Sequence, residues 1–468
     1  MRIGYYANGA THMQAVPPST PQEALARVRA TGHQRIKVAI TDIDGILRGK
    51  YIHIDKFASA IEGGFGFCDV VFGWDSADDC YDNVRYTGWH TGYPDAQVRL
   101  VPETFRTLPW EDGVPFFLGE FVTGSGAPMP LCPRQLLKKM VNYGASLGFT
   151  AKFGLEFEWF NFKETPDTLA EKDFSDLKPL TPGMFGYSVL RSSLNHTYFG
   201  ALMEQLGAFR VPIEGLHTET GPGVYEAAIQ NADALEQGDR GVLFKTGAKE
   251  IGYRHGVIAS FMAKWNADLP GCSGHMHQSL WTADGQSAFY DAQADDTLSA
   301  TFRHYIAGQM TLLPEILPLL APTINSYKRL VEGMWAPTRM TWGIDNRTVA
   351  LRVLSGSAKS TRLETRIGGA DFNPYLGIAA ALGAGLYGIE HQLELKEAPI
   401  RGNGYEAPAR RLPSNLPKAA DALHSSKAAR ALFGDDFVEH FAASRHWEAR
   451  AFQKTVTDWE LRRYFEII

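Results

Sequence analysis

The 468-residue sequence predicts an α+β protein in two parts. Three observations carry that expectation. From about Gln34 to Val122 the chain consists of short β-rich runs and turns. Around Thr123–Pro130, Gly, Ser and Pro cluster as they do at a domain boundary. Beyond it, period-two strands alternate with helical stretches as far as Asn373, and the chain from Pro374 on reads as helical. The elements follow in order. The opening "MRIGYYANGATHMQAVPPSTP" lacks a basic start followed by an apolar run, so it is not a secretory signal. It reads as a loose tail with Met13 as an alternative start, and residues 1–30 are set aside as an N-terminal tail. "RIKVAITDIDGILRGKYIHI" is two strands joined through Asp44–Gly45, and "DKFASAIEGG" is a helix ended by glycines. "GFGFCDVVFGWDSADDCYDN" reads as a long loop. "PMPLCPRQLLKKMVNYGASLGF" opens on prolines and becomes a helix. "LGIAAALGAGLYGI" (Leu376–Ile389) is too short to span a bilayer and reads as a buried helix, with Pro374 at its start.

Composition narrows the function classes. Net charge is −6, with no basic stripe, which argues against nucleic acid as a partner. No apolar run suits a membrane. The four cysteines, Cys68, Cys80, Cys132 and Cys272, stand far apart without a C-x-x-C pair. A zinc site or disulfide framework is not expected, and a reducing cytoplasm is the default.

Four stretches carry chemistry. In "KFGLEFEWFNF" (Lys152–Phe162), strand alternation puts Glu156 and Glu158 on one face and Leu155, Phe157 and Trp159 on the other. Read alone, this is equally a half-exposed edge strand. In "GCSGHMHQSL" (Gly271–Leu280), His275 and His277 repeat the i, i+2 spacing; a lone pair of this kind is more often structural. "HTETGPGVYEAAI" sets Glu219 and Glu226 on either side of a Gly-Pro-Gly turn that can bring both carboxylates together; read alone, it is a loop leading into a helix at Tyr225. In "STRLETRIGG", Arg362, Glu364 and Arg366 face one way and Leu363, Thr365 and Ile367 the other, with Arg329, Arg347 and Arg352 upstream. Arginine grips phosphate and carboxylate bidentately. Taken jointly, carboxylates and an imidazole suit Mg²⁺ or Mn²⁺, and the arginines suit phosphate. The simplest reading is phosphoryl transfer from a metal-bound nucleotide. The usual G-x-x-x-x-G-K-[ST] loop is missing: "SGSAKS" lacks the glycine before Lys359.

In order, "GLEFEWF", "ETGPGVYE", "SGHMHQSL", "NSYKRLVEG", "DNRTVALRV" and "RLETRIGGADFNPYL" resemble the glutamine synthetase family, and the resemblance runs from about Gln34 to the C-terminus. Among its members the match is to those that make γ-glutamyl amides from glutamate and an amine. It implies a small β-grasp domain (31–125), a catalytic domain with a curved antiparallel sheet and helices (126–468), and a homododecamer of two stacked rings with active sites between subunits. It implies two or three Mg²⁺ or Mn²⁺ ions per site, ATP as co-substrate and L-glutamate as the acid. By the resemblance, Glu158, Glu219 and Glu226 hold the metal nearer the amino acid, and Glu156, His275 and Glu364 the metal beside the transferred phosphate. His277, Arg347, Arg352 and Arg362 handle nucleotide phosphates, and Ser279 lies in the nucleotide site. Arg329 and Arg366 hold the substrate carboxylate or the acyl phosphate, with Gly271 beside the glutamate. Tyr405 lies near where some members carry a modified tyrosine.

The chain departs from the family pattern in "RLVEGMWAP". Glutamine synthetases have a glutamate at the position of Trp335, which binds ammonium and takes its proton. Tryptophan offers only a π-face and apolar area. In the first part, "GFCDVVFGWDSADDCYD", with Trp74 and Asp75, replaces a short Asp-Gly-Ser-Ser loop. The expected nucleophile is therefore an organic amine with an apolar body. An arylamine needs no base; an alkylamine would use Asp75 or Asp69. "LPG" stands where an asparagine usually helps hold the α-amino group of glutamate, and "PGV" replaces "PGQ" in the Glu219 loop. The alternatives are a glutamine synthetase using ammonium and a non-catalytic structural or regulatory member of the fold.

Overall fold

The Asp44–Gly45 turn closes a hairpin between β1 (Arg35–Thr41) and β2 (Leu47–His53). It does so because Asp42 Oδ1 accepts from the backbone N–H groups of Asp44 (3.0 Å) and Ile46 (2.9 Å), and Gly45 takes φ +83°. A computed structural model describes residues 16–468, so the first half of the expected tail, residues 1–15, lies outside them. Its later part is corrected. Pro21–Ala30 is a helix, capped by Thr20, that buries Ala24 and Val28. Those two residues are one helical turn apart and therefore share a face, which packs on the helix Ile54–Gly63.

The expected long loop begins as a strand: β3 (Phe65–Cys68) pairs with β4 (Asp95–Leu100). β5 (Arg106–Leu108) and β6 (Val114–Val122) complete the first sheet, in the order β2-β1-β6-β4-β3 with β5 beside β6. Only β1 and β6 run parallel.

The second sheet holds β7 (Phe149–Phe162), β8 (Ile213–Thr218), β9 (Val224–Asp233), β10 (Ile258–Ser260), β11 (Gly274–Thr282), β12 (Trp342–Ile344), β13 (Leu351–Leu354) and β14 (Arg362–Thr365). Its order is β12-β13-β14-β11-β7-β9-β8, with β10 beside β7, and it is antiparallel except for β12 with β13. On β7, Leu155, Phe157 and Trp159 are fully buried, as alternation requires. Phe157 stacks on Phe244 of the helix Ala234–Arg254 at 6.1 Å between ring centres. The glutamates are thereby left on the opposite, open face.

The Ala/Gly-rich stretch is the buried helix Pro374–Glu390, started by Asn373, whose side chain accepts from Tyr375 N–H. Small residues let it approach the helix Ala300–Leu312: a side chain on Gly388 would stand 2.1 Å from His304 O. No helix among the described residues is long and apolar enough to cross a membrane. The expectation of a wholly helical chain after Pro374 is corrected too. Between His391 and Asn415 the only helical turn is Gly404–Glu406, because Pro399, Pro408 and Pro413 remove backbone donors. Helices return at Leu416–Ser425, Lys427–Phe433, Asp435–Gln453 and Asp458–Tyr464.

Candidate active site

Register turns separate motifs into one surface. Residues directly opposite each other in a sheet share a face, and the pairs here are Glu156 with His275, Glu158 with Glu226, His217 with Glu226, His277 with Glu364, and Glu364 with Arg352. The polar residues of β14, β11, β7, β9 and β8 thus form a continuous band. No helix begins at Tyr225; the Gly-Pro-Gly turn closes the β8–β9 hairpin, with Gly221 and Gly223 at positive φ.

Two groups of ligand-type atoms, each within 4.8 Å of one another, stand on that band: Glu156, His275 and Glu364 in one, His217, Glu219 and Glu226 in the other. In the first, His275 Nδ1 lies 3.8 Å from Glu156 Oε2 and 3.6 Å from Glu364 Oε1, and His277 Nε2 lies 3.0 Å from Glu156 Oε1. Burial pushes the Glu156 carboxyl up, but the neighbouring imidazoles of His275 and His277 outweigh it and hold the group well below the usual range. Burial likewise opposes ionisation of Glu364, but the charges of His275, Arg366 and His277 bring it down to about 2. In the second group, His217 lies 3.8 Å from Glu219 and 3.9 Å from Glu226. Burial and the charges of Glu158, Glu156 and Glu219 push Glu226 up to about 9. That is the signature of a carboxylate cluster short of positive charge. His275 Nε2 is also buried without a hydrogen-bond partner. Oxygen and imidazole donors, excess negative charge and two separate groups fit hard divalent cations.

Glu158, expected beside Glu219 and Glu226, opposes Glu226 in the ladder but stands outside the tight second group. Its Oε2 instead accepts from Ser273 N–H at 2.7 Å. His217 is the third member of that group. The sequence carried a usable signal for His217: it lies two residues before Glu219, on the same strand face.

The arginines divide by partner. Arg352 donates to Glu364 at 3.0 Å and to Asp345 at 2.6 Å, and Arg366 also contacts Glu364. Asp345 was not foreseen; it sits at φ +46° in the turn that carries Arg347, which is exposed. Arg362 Nε donates to His277 Nδ1 at 3.2 Å. Arg329 is buried and donates to Ile367 O (2.9 Å) and Ser273 Oγ (2.9 Å), so part of its guanidinium is spent on the protein. Gly271 makes room for it: a side chain there would stand 2.4 Å from Ala263 O and 2.9 Å from Arg329 Cγ.

A cavity of about 380 Å³ adjoins the first group, walled by Lys152, Glu156, His277, Ser279, Trp281 and Arg362 among others. Ser279 Oγ accepts from Trp281 Nε1 at 3.0 Å. Lys359, from the incomplete phosphate-loop stretch, also lines this cavity. Tyr187 stacks on His217 at 4.4 Å.

The expected amine-pocket residues do not all meet. Trp335 is 57% exposed at φ +59°, in the loop after Arg329. Trp74 lies under the Arg48 guanidinium at 5.2 Å. Asp75 Oδ1 accepts from Ala77 N–H and Asp79 N–H, capping its own turn. Among the described residues, no hydrogen bond, ion pair or ring contact links Trp74 or Asp75 to Trp335. Asp69, the other carboxylate considered, is buried, with Oδ1 unpartnered.

Comparison with known proteins points to one family. Residues 130–464 match the glutamine synthetase catalytic domain. The chain is 52% identical to Type-1 glutamine synthetase 2 of Dictyostelium discoideum, over 95% of this chain and 86% of that protein. It is 36% identical to glutamate–isopropylamine ligase of a Pseudomonas species, over 92% of this chain and 95% of that protein. Ligand-free GmaS superposes with a TM-score of 0.82 at 27% identity, over 94% of this chain and 99% of that one.

Proposed function

We propose that this chain, which belongs to the glutamine synthetase family, joins the γ-carboxylate of L-glutamate to an apolar alkylamine or an arylamine. The products would be a γ-glutamyl amide, ADP and phosphate. The observation that carries the choice of amine is Trp335: an exposed indole occupies the position in "RLVEGMWAP" where the family resemblance calls for the glutamate that binds ammonium. The 36% identity to a protein named for isopropylamine agrees with it. A second reading, ammonium as the nucleophile, is favoured by the 52% identity to a protein named as a glutamine synthetase.

The chemistry balances in two steps. A γ-carboxylate oxygen attacks the γ-phosphorus of ATP, the bond to the bridging oxygen breaks, and ADP leaves. The amine nitrogen then attacks the acyl carbon, phosphate leaves with the C–O bonding electrons, and the surplus amine proton passes to base or water. Activation is needed because carboxylate oxygen is a poor leaving group. Glu156, His275 and Glu364 would hold one Mg²⁺ or Mn²⁺. Glu219 and Glu226, with Glu158 and His217, would hold the other. Bound there, the cations would neutralise phosphate oxygens. His277, Ser279, Arg352 and Arg362 would orient the nucleotide in the adjoining cavity. Arg347, Arg366 and Arg329 would face the charge of the transferred phosphate and the acid.

The proposal takes residues 31–125, with the helix Pro21–Ala30 packed on them, and residues 126–468 as the two domains, in a homododecamer of stacked rings.

The test is ATP-dependent phosphate release with L-glutamate and Mg²⁺ or Mn²⁺ against ammonium, methylamine, isopropylamine, ethanolamine, putrescine and aniline, with mass detection of the amide. Turnover with isopropylamine or aniline and little with ammonium is the expected result; turnover with ammonium alone would establish the second reading. Trp335→Glu is expected to raise the ammonium-to-isopropylamine rate ratio by about tenfold or more, because a full charge attracts a cation more strongly than a π-face does. An unchanged ratio would remove Trp335 from the pocket.

A further inference from the structure

On the buried side of β7, opposite the carboxylates, Lys245 of the helix Ala234–Arg254 reaches into a box of aromatic rings. Its Nζ lies 4.8 Å from the centre of the Phe157 ring, 5.4 Å from that of Phe372 and 5.8 Å from that of Phe261. All three phenylalanines are buried. The Nζ donates to Phe372 O at 2.6 Å. Burial brings its pKa down to about 7, with Asp371 opposing; charged or neutral, the amine keeps an N–H to donate. A side chain that only filled this space would be apolar, since taking an amine out of water costs free energy.

Phe372 is the contact through which Lys245 reaches the site. Its ring lies against two stretches of backbone: a side chain on Gly274 would stand 2.5 Å from Phe372 Cε1, and one on Gly368 2.9 Å from Phe372 Cδ1. The ring centre is also 5.4 Å from that of Phe157. Each of these three neighbours lies within two residues of a site residue. Phe157 stands between Glu156 and Glu158, Gly274 precedes His275, and Gly368 follows Arg366 by two. The two glycine segments are bonded to each other as well: Gly274 N–H donates to Gly368 O (2.9 Å), and Ala370 N–H to Cys272 O (3.0 Å). Next to Phe372, Asp371 Oδ2 accepts from Thr323 Oγ1 (2.9 Å) and Ser326 Oγ (2.5 Å), which fixes the start of the short helix Ser326–Arg329. In an interior packed this closely, a shift of one group is passed to the next.

We propose that Lys245 is a positioning residue for the first ligand group. By holding the Phe372 carbonyl and ring, it sets where Gly274 and Gly368 lie, and so where His275 and Arg366 stand relative to Glu156. This rests on the reading above that Glu156, His275 and Glu364 hold a divalent cation.

The test compares Lys245→Met with wild type and with Lys249→Met. Methionine keeps much of the length and loses the N–H. Lys249 is one turn further along the same helix and lies 5.9 Å from the Phe261 ring, but among the described residues it bonds to nothing in 368–373. Mn²⁺ binding is read from the electron paramagnetic resonance signal of the free ion. One class of Mn²⁺ sites is expected to weaken about tenfold in Lys245→Met, and neither class in Lys249→Met. The turnover number should fall with it, while KM for the amine stays put. In thermal melting without ligands, Lys245→Met is expected to stay close to wild type, because the relief of burying no amine offsets the carbonyl left without its donor. Wild-type Mn²⁺ affinity in Lys245→Met would overturn the proposal. Equal weakening of both classes of site, or the same weakening in Lys249→Met, would make it a general effect of the helix and also overturn it. If Lys245→Met does not fold, Phe372→Leu decides: it keeps the carbonyl and removes the ring, so weakened binding at one class of site supports the proposal and unchanged binding overturns it. Wild type that binds no Mn²⁺ would sink the cation reading, and the proposal with it.

Discussion

Glu364→Gln is expected to lower turnover by about two to three orders of magnitude and to abolish stabilisation by Mg²⁺ in thermal melting. Glu364 is the point where three parts of the site meet. It lies 3.6 Å from His275 in the first ligand group, accepts from Arg352 at 3.0 Å, and contacts Arg366. Glutamine keeps the volume and one acceptor but loses the charge that a cation and two guanidiniums require. The variant should still fold, which circular dichroism would check, since β14 keeps its ladder with β11 and β13. A pH series supplies a second readout. The carboxyl sits at about 2 in the folded protein against an ordinary 4.5. Its contribution to stability is therefore complete above about pH 4.5 and is lost as pH falls towards 2. The stability gap between wild type and variant should be widest at neutral pH and close on acidification. Turnover within a few-fold of wild type would remove Glu364 from the site, whatever the melting showed.

Arg134→Met is expected to cost about 3–5 kcal/mol of stability, read as a lower urea midpoint. Arg134 opens the helix Pro133–Ser146 and is buried. It donates to Glu120 of β6 at 2.7 Å and to both oxygens of Asp239 at 2.9 and 3.1 Å. Tyr375 OH donates to the same Asp239 at 2.6 Å. One guanidinium thus ties the first sheet, the helix Ala234–Arg254 and the helix Pro374–Glu390. Methionine fills the space but leaves two buried carboxylates without their main cation, and the uncompensated charge is the dominant loss. Adding Glu120→Leu and Asp239→Leu should recover much of the stability, because the stranded charges go with them. A loss below about 1 kcal/mol in the single variant would show that water already reaches this network.

Much of the site could be read from the sequence because strand alternation is a local property. Glu156 and Glu158 must share a face whatever the strand pairs with, and so must His275 with His277 and Arg362 with Glu364. Other features had no local signal. "FGFC" became β3 because β4 was there to pair with it. Asp345 matters through Arg352, seven residues away on the next strand. Trp335 stood out by its chemical type, but neither its exposure nor its backbone conformation could be read from its neighbours.

The sequence by itself determined the family, the α+β class and most of the side chains that make up the two ligand-type groups, because six ordered motifs and period-two spacing are encoded within short stretches of chain. Only the tertiary structure decided how those stretches meet. Register placed β14, β11, β7, β9 and β8 side by side, brought His217 into the second ligand group, and turned a Glu158 oxygen towards Ser273. The physical reason is that a strand fixes which of its side chains share a face. Which strand lies opposite, and at what offset, is fixed by packing and hydrogen bonding between segments far apart in sequence.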